Sequence, residues 1–233
     1  MLEMRQGVAG AKAMYRLFPL LDRDQLARLV AIARAATWVD GRASNPTNAG
    51  KNNLQIERGG ARDESGQILG DALRANAVFD EFALPVAIAP PLLSNYTTGM
   101  GYALHGDNAL IQLGAATIRN DLACTIFLVD PASYDGGALR LHNGDVNTAF
   151  RLPAGHAILY PATLPHAVEP VTRGERLAAF TFVQSRVADP ARRGLVSEVG
   201  ALARTEREHV SPEAHARLLV VQQNLLRMWA DAP

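Results

Sequence analysis

From Val86 to Ser185 the chain alternates short apolar runs with turns rich in Gly, Pro, Asp and Asn, whereas the segments on either side repeat apolar residues at helical spacing. The middle texture is that of short antiparallel strands closed by tight turns, a β-sandwich or jelly roll. Ahead of it, Asp22 with Gln25 three positions on forms a capping-box pattern, and Leu26, Leu29, Val30 and Ala33 then make one stripe of an amphipathic helix. A second helix is predicted around Glu64 to Asn76, with Ile68, Leu69, Ala72 and Leu73 on one face. Residues 42–53, from Arg42 through Pro46 and Gly50 to Asn53, are polar and turn-rich, a candidate lid. Helical spacing returns near Pro190. There Ser211-Pro212-Glu213 sets a capping residue before a proline at the first helical position, and Leu218, Leu219, Leu225, Leu226 and Trp229 supply an apolar face.

The pattern therefore predicts a mainly β chain with flanking α-helices. Residues 1–85 are read as helices and a lid segment packed on the core, 86–186 as the jelly-roll core, and 187–233 as C-terminal helices. There is no internal repeat or low-complexity tract. A chain of 233 residues can bury one sizeable core, so one domain with peripheral helices is expected in preference to two full domains.

Charge and cysteine content narrow the function classes. The 23 basic and 23 acidic residues cancel, and no basic block stands out, which argues against nucleic acid or an anionic membrane surface as a partner. The single cysteine, Cys124, excludes an intramolecular disulfide and fits a reducing cytoplasm. It lies in the apolar run Leu122 to Val129 and reads as a small buried hydrophobe. The fairly apolar stretch Val8 to Leu21 is interrupted by Lys12 and Arg16. No uncharged run approaches the roughly 20 residues needed to span a bilayer, so the expected location is cytoplasmic.

The chemistry is carried by His105-Gly106-Asp107, His166 and Arg176. Two imidazoles and one carboxylate are the ligand set of the facial triad, which leaves positions open on a six-coordinate ferrous ion. Along a strand, residues i and i+2 point to one face, so His105 and Asp107 reach one ion while Gly106 faces away. The third ligand must come from another strand. His166 follows the apolar run Ala157 to Pro161 and a turn bounded by Pro161 and Pro165. Arg176 opens the run Arg176 to Phe182, in which 176, 178, 180 and 182 share a face. A lone guanidinium aimed into an apolar pocket is costly unless it meets an anion, and its planar fork suits a carboxylate.

Taken singly, each piece is common: an H-x-D tripeptide arises by chance, and a lone histidine near a turn is more often structural than a ligand. The combination is what carries weight. Tyr96 and Tyr102 precede His105, and a phenol from either could bond an anion or simply find a partner in the core. Asn53 and Gln55 share strand parity beside the candidate lid, where their amides could meet a polar substrate or water. His142 and His156 could compete as ligands but sit beside Gly144 and Gly155, and are read as exposed turn residues. Arg119 and Asp121 fit either a structural ion pair or a substrate contact.

At this point the chain resembles the PKHD-type hydroxylases, a family of Fe(II)/2-oxoglutarate-dependent dioxygenases related to prolyl 4-hydroxylases. The residues that carry the resemblance are Trp38-Val39-Asp40-Gly41, Lys51-Asn52-Asn53, His105-Gly106-Asp107-Asn108-Ala109, Asp121-Leu122, Tyr134-Asp135-Gly136-Gly137, Leu152-Pro153-Ala154-Gly155, Leu159-Tyr160-Pro161, Pro170-Val171-Thr172-Arg173-Gly174 and Gln184-Ser185. They run in family order over nearly the whole chain, to Asn224-Leu225-Leu226-Arg227-Met228-Trp229 at the end. Two positions depart: Ala138 stands where the family usually has Glu, and His156 where it usually has Asp. Neither matches a metal ligand of the family.

The resemblance implies a double-stranded β-helix with Fe(II) on His105, Asp107 and His166, and 2-oxoglutarate as cosubstrate with its far carboxylate on Arg176. Tyr96 is the preferred phenol beside that carboxylate. It further implies dioxygen, L-ascorbate as an auxiliary reductant, and hydroxylation of an unactivated C–H bond with 2-oxoglutarate leaving as succinate. The substrate is a small molecule or an amino-acid- or peptide-like compound, and the oligomeric state stays open. Two other readings of the same ligands stay open as well. One is a non-redox, cupin-like metal-dependent jelly roll with no use for Arg176. The other is an iron and 2-oxoglutarate sensor without turnover.

Overall fold

The computed structural model describes residues 14–44 and 48–231. Two antiparallel sheets face each other across a shared core. The larger runs in the order Arg16–Pro19, His156–Pro161, Leu122–Phe127, Glu175–Ser185, Leu92–Thr97, Leu54–Ile56, Trp38–Asp40, and Pro85–Ile88 pairs with the far end of Glu175–Ser185. The smaller runs Val146–Phe150, Leu139–Asn143, His166–Val168, Gly101–His105, Lys51–Asn52. This is the predicted jelly roll with flanking helices.

The centre of the larger sheet is covered on both faces. Every residue of Leu122–Phe127 is buried, which is why its sequence reads as a continuous apolar run instead of an alternating one. Outward, Leu177, Ala179, Cys124 and Ile126 join Leu29, Leu69 and Phe79 of the helical layer. Inward, Ala123, Phe127, Ile158 and Tyr160 meet Leu139, Leu141 and Phe150 of the smaller sheet. Cys124 is a free, fully buried thiol on the helix side, the small hydrophobe its run predicts.

Helix α1 (Arg23–Ala35) starts on the predicted capping box, with Asp22 accepting from the Gln25 amide at 2.8 Å. The predicted second helix is α2 (Gly60–Ala75), which starts at Gly60 and not Glu64, and a further short helix outside that expectation, α3 (Ala77–Ala83), follows it. Asn76 leaves helical geometry and its side chain accepts from the Phe79 amide at 3.0 Å, so it ends one helix and caps the next. Helices α4 (Pro190–Thr205) and α5 (Pro212–Trp229) start on Asp189 and Ser211. On α5, Leu218, Leu225, Leu226 and Trp229 are half-buried, but Leu219 is 41% exposed and lies off the packed face. Among the described residues no helix is long and apolar enough to cross a membrane.

Part of the candidate lid, residues 45–47, lies outside the described residues, as do residues 8–13 of the stretch Val8 to Leu21. The end of the lid segment is strand. Lys51–Asn52 pairs with Tyr102 and Gly101 of the smaller sheet, and Leu54–Ile56 passes straight on to the larger one. Asn53, between the two, is 3% exposed.

Candidate active site

Pairing in the smaller sheet brings the three ligand candidates together. His166 and His105 are directly opposed on adjacent antiparallel strands. The strand that carries His105 ends there, so Asp107 lies on the extended stretch just beyond, a correction to the expectation that one strand bears both. Alternation still brings Asp107 round to the same side. His166 is also placed differently from its reading: Ala157 to Pro161 belongs to the larger sheet, and the turn 162–165 carries the chain across so that His166 opens a strand of the smaller one. The ligand atoms of His105, Asp107 and His166 all lie within 4.8 Å of one another. Asp107 Oδ2 is 3.7 Å from His166 Nε2, and Asp107 Oδ1 is 4.0 Å from His105 Nε2, spacings that leave room for one ion.

Hydrogen bonding fixes which ring nitrogen is available. His105 Nδ1–H donates to Ala103 O at 2.8 Å, and His166 Nδ1–H donates to Leu164 O at 3.0 Å. A carbonyl only accepts, so in the neutral form of each ring the lone pair is on Nε2, and both Nε2 atoms point into the cluster. Burial, helped by the neighbouring His166, lowers the His105 pKa to about 4, which keeps that ring neutral near pH 7. Desolvation raises the Asp107 pKa against the opposing pull of His166 and Lys51, and its Oδ2 has no hydrogen-bond partner. A buried orphaned carboxylate oxygen between two imidazole lone pairs fits a divalent cation.

Aromatic rings brace the cluster. Tyr102 stacks on His105 with centroids 3.5 Å apart, and Tyr160 meets His166 edge-on at 5.3 Å. Lys51 is 5% exposed, with Nζ 5.4 Å from the Tyr102 centroid. Desolvation brings the Lys51 pKa down to about 8 against the pull of Asp107 and Asp40. Lys51 was not singled out from sequence, although it shares the strand parity of Asn53 and Gln55 and opens the Lys51-Asn52-Asn53 motif.

Arg176 sits on the larger sheet, opposite Tyr96 on the neighbouring strand. It is 2% exposed, its guanidinium lies over the rings of Tyr96 at 5.0 Å and Phe127 at 5.4 Å, and its Nε has no partner. Tyr96 is also buried, and desolvation raises its pKa, so its hydroxyl stays protonated and can donate. The turn Tyr134 to Gly137 runs beside Arg176. Gly137 has φ +61°, and a Cβ there would stand 3.1 Å from Arg176 Cδ, so glycine is needed for both backbone and space.

The cluster and Arg176 line one cavity of about 750 Å³, together with Tyr96, Lys51, Asn53 and, toward the opening, Arg58 and Arg62. Asn53 Oδ1 and Gln55 Nε2 are both buried without partners; of the two, only Asn53 lines the cavity. His142 and His156 lie in strands and are half-buried, a correction to their reading as exposed turn residues, and neither lines the cavity. Ala138, at the family's usual Glu position, is buried. Arg119 and Asp121 form an ion pair at 2.7 Å, and Arg119 also reaches Asp231 at 2.6 Å while Asp121 accepts from the Ser185 amide, so this pair ties strand ends to the C-terminus.

Comparison with known proteins agrees with this geometry. The model of the 2OG-Fe(II) oxygenase superfamily matches residues 91–184. A PKHD-type hydroxylase of Sphingopyxis alaskensis is 48% identical over 216 residues, 93% of this chain and 99% of that protein. Another, from Methylobacillus flagellatus, is 38% identical over 225 residues, 91% of this chain and 97% of its own. Among solved structures, a Pseudomonas putida prolyl-4-hydroxylase shares the fold at a TM-score of 0.54 and 21% identity, covering 74% of this chain and 93% of that one. A Trichoplax adhaerens prolyl hydroxylase, in complex with a hypoxia inducible factor peptide fragment, does so at 0.54 and 14%, covering 74% and 84%. With nearly full-length identity of 48% to a curated member, this chain belongs to the PKHD-type hydroxylases of the 2OG-Fe(II) oxygenase superfamily.

Proposed function

We propose that the protein hydroxylates an unactivated C–H bond of a small molecule or an amino-acid- or peptide-like substrate, using Fe(II), 2-oxoglutarate and dioxygen. In this reading His105, Asp107 and His166 hold the ferrous ion through two neutral Nε2 atoms and one carboxylate. Arg176 pairs with the far carboxylate of 2-oxoglutarate, and Tyr96 donates its hydroxyl to the same group. All five residues fall within 86–186, the expected jelly-roll core, although Arg16–Pro19, Trp38–Asp40, Lys51–Asn52 and Leu54–Ile56 add strands to the same two sheets. When bound, the iron would let dioxygen act as the oxidant, with 2-oxoglutarate giving up two electrons as it leaves as succinate and carbon dioxide and the substrate C–H bond giving up the other two.

The observation that carries the reading is the unpaired Arg176 Nε, buried on the wall of the cavity that holds the His-Asp-His cluster. A buried cation without a partner is costly, and a bidentate carboxylate is the ligand its fork fits. A non-redox metal enzyme has no use for it. The chain's own part in the chemistry is positioning and exclusion of water. Carbonyl-anchored imidazoles fix the ion, the ring stack holds His105 in place, and Phe180 and Phe182 keep the far wall apolar. L-ascorbate is assigned the upkeep of ferrous iron.

The test is to give the purified protein ferrous iron, 2-oxoglutarate and air and to measure succinate. Iron-dependent succinate formation is expected, stimulated by ascorbate and lost in Arg176→Leu. No succinate from the iron-loaded protein, together with unchanged 2-oxoglutarate binding in Arg176→Leu, would overturn the reading in favour of non-redox chemistry.

A further inference from the structure

The residues lining the cavity carry a lopsided charge. Lys51, Arg58, Arg62 and Arg176 are cationic, whereas Asp107, already committed to the ligand cluster, is the sole carboxylate among the described lining residues. At the inner end the account closes: a ferrous ion and Arg176 on one side, Asp107 and dianionic 2-oxoglutarate on the other, cancel. Lys51 stands outside that sum: it is buried, and of the two carboxylates that act on it Asp107 is already counted and Asp40 pairs with Arg42. Arg58 and Arg62 are left over. Neither side chain makes an ion pair or hydrogen bond among the described residues, whereas other exposed arginines away from this cavity are paired, such as Arg28 with Glu64 and Arg74 with Asp71.

Position strengthens the case. Arg58 precedes α2 and Arg62 lies in its first turn, and the cap residue Gly59 offers no side chain to the free amides there, so the helix end adds potential of the same sign. Across the opening stands the hairpin Leu110–Leu113 and Ala116–Arg119, whose Leu110, Ile111 and Leu113 line the cavity although Leu110 is 63% exposed. Phe180, from the same strand as Arg176, lines the cavity as well. The cavity thus has a closed, charge-balanced inner end, an apolar middle and a cationic rim.

We propose that Arg58 and Arg62 form an anion-binding subsite at the rim, and that the substrate joins a carboxylate or phosphate head to an apolar body lying along Leu110, Ile111, Leu113 and Phe180. This rests on the iron and 2-oxoglutarate reading above, because that reading is what neutralises the inner end. Two guanidiniums on one head discriminate strongly against an uncharged isostere and fix which part of the body reaches the iron.

The test uses the full chain saturated with Mn(II) and 2-oxoglutarate in the absence of dioxygen, titrated calorimetrically with octanoate, octyl phosphate and octanamide. At least one anion is expected to bind roughly tenfold or more tighter than the amide, and the tighter of the two identifies the head group. In Arg58→Gln/Arg62→Gln that preference disappears while 2-oxoglutarate affinity stays within about twofold, and Arg58→Lys/Arg62→Lys restores most of it. Equal affinity for octanamide, no binding of either anion, or a double Gln variant with unchanged anion affinity each overturns the proposal. Failure of 2-oxoglutarate itself to bind would instead sink the assignment of Arg176, and the loss of octanoate binding in the double variant would still decide the rim.

Discussion

Leu177 and Arg176 are neighbours on one strand and almost equally hidden from water, at 6% and 2% exposure, yet their surroundings differ completely. Leu177 faces the helices with Ala179 and Val183, in a core of aliphatic and aromatic side chains where nothing polar asks for a partner. Arg176 faces the cavity, whose wall also carries two more orphaned buried atoms, Asp107 Oδ2 and Asn53 Oδ1. Burial alone therefore does not mark function in this fold. An orphaned atom alone does not either, since Gln55 Nε2, Asn95 Oδ1, Asn120 Oδ1 and the Tyr134 hydroxyl are orphaned away from the cavity; Arg176 and Asp107 stand out because burial, an unpaired atom and one shared cavity coincide, where a ligand can offset the desolvation cost.

If the two faces differ in this way, substitutions on them should separate ligand binding from stability. The largest effect is expected at the cluster: Asp107→Ala or His166→Ala weakens metal binding by more than about a hundredfold, since changes one shell further out already cost roughly ten- to a hundredfold. Thermal melting of the metal-free Asp107→Ala protein should not drop, because the change deletes a desolvated carboxylate with an orphaned oxygen. A collapse of the metal-free fold would show that the cluster is structural. On the opposite face Leu177→Ala should cost about 2 to 5 kcal/mol in denaturant unfolding and leave 2-oxoglutarate affinity alone. A shift in that affinity would mean the two faces are coupled.

Next in size, Arg176→Leu should weaken 2-oxoglutarate by roughly ten- to a hundredfold, the worth of one lost charged pair at about 1.5 to 3 kcal/mol, with Arg176→Lys between it and the parent. Calorimetric titration decides, and equal affinity of Leu and parent contradicts the assignment. The smallest effect concerns Cys124. Desolvation raises its pKa far above the ordinary thiol range, and it is fully buried on the helix side. Alkylation by N-ethylmaleimide at pH 7 should be undetectable in the folded protein and complete after unfolding; labelling of the native state would place Cys124 on a mobile path to solvent.

Much of this contrast was legible in the sequence. Alternation along Arg176 to Phe182, the H-x-D spacing and the continuous apolar runs are local patterns with a direct geometric meaning. What stayed hidden was non-local. Nothing in Ala162 to Pro165 says that the chain changes sheets there, so the sheet that carries His166 is not legible locally, although its candidacy as third ligand is. Helix α3, just beyond the predicted end at Asn76, is only seven residues long, too short for a periodic stripe, and shows itself only through the Asn76 side-chain cap. Arg58 and Arg62 look like ordinary solvated charges until α2 folds against the sheet and sets them at the cavity opening. Lys51 was visible as a motif member, but its burial beside Tyr102 needed the pairing of two strands 50 residues apart in sequence.

The hairpin Leu110–Leu113 and Ala116–Arg119 forms a two-stranded sheet of its own, apart from the ladders that place His105, His166 and Arg176. Its tip at Gly114 has φ +62° and open space around the Cα. Residues can be inserted, deleted or exchanged at that tip at little cost to the fold, because the bonds that tie the hairpin to the larger sheet run through Arg119 at its base, whose amide donates to Gln184 Oε1 and whose guanidinium donates to Ser185 O. Selection can therefore retune what enters the cavity without disturbing how the inner end works, and a library confined to residues 110–117, which spares buried Ile118 and the anchor Arg119, is a direct route to variants of altered substrate range.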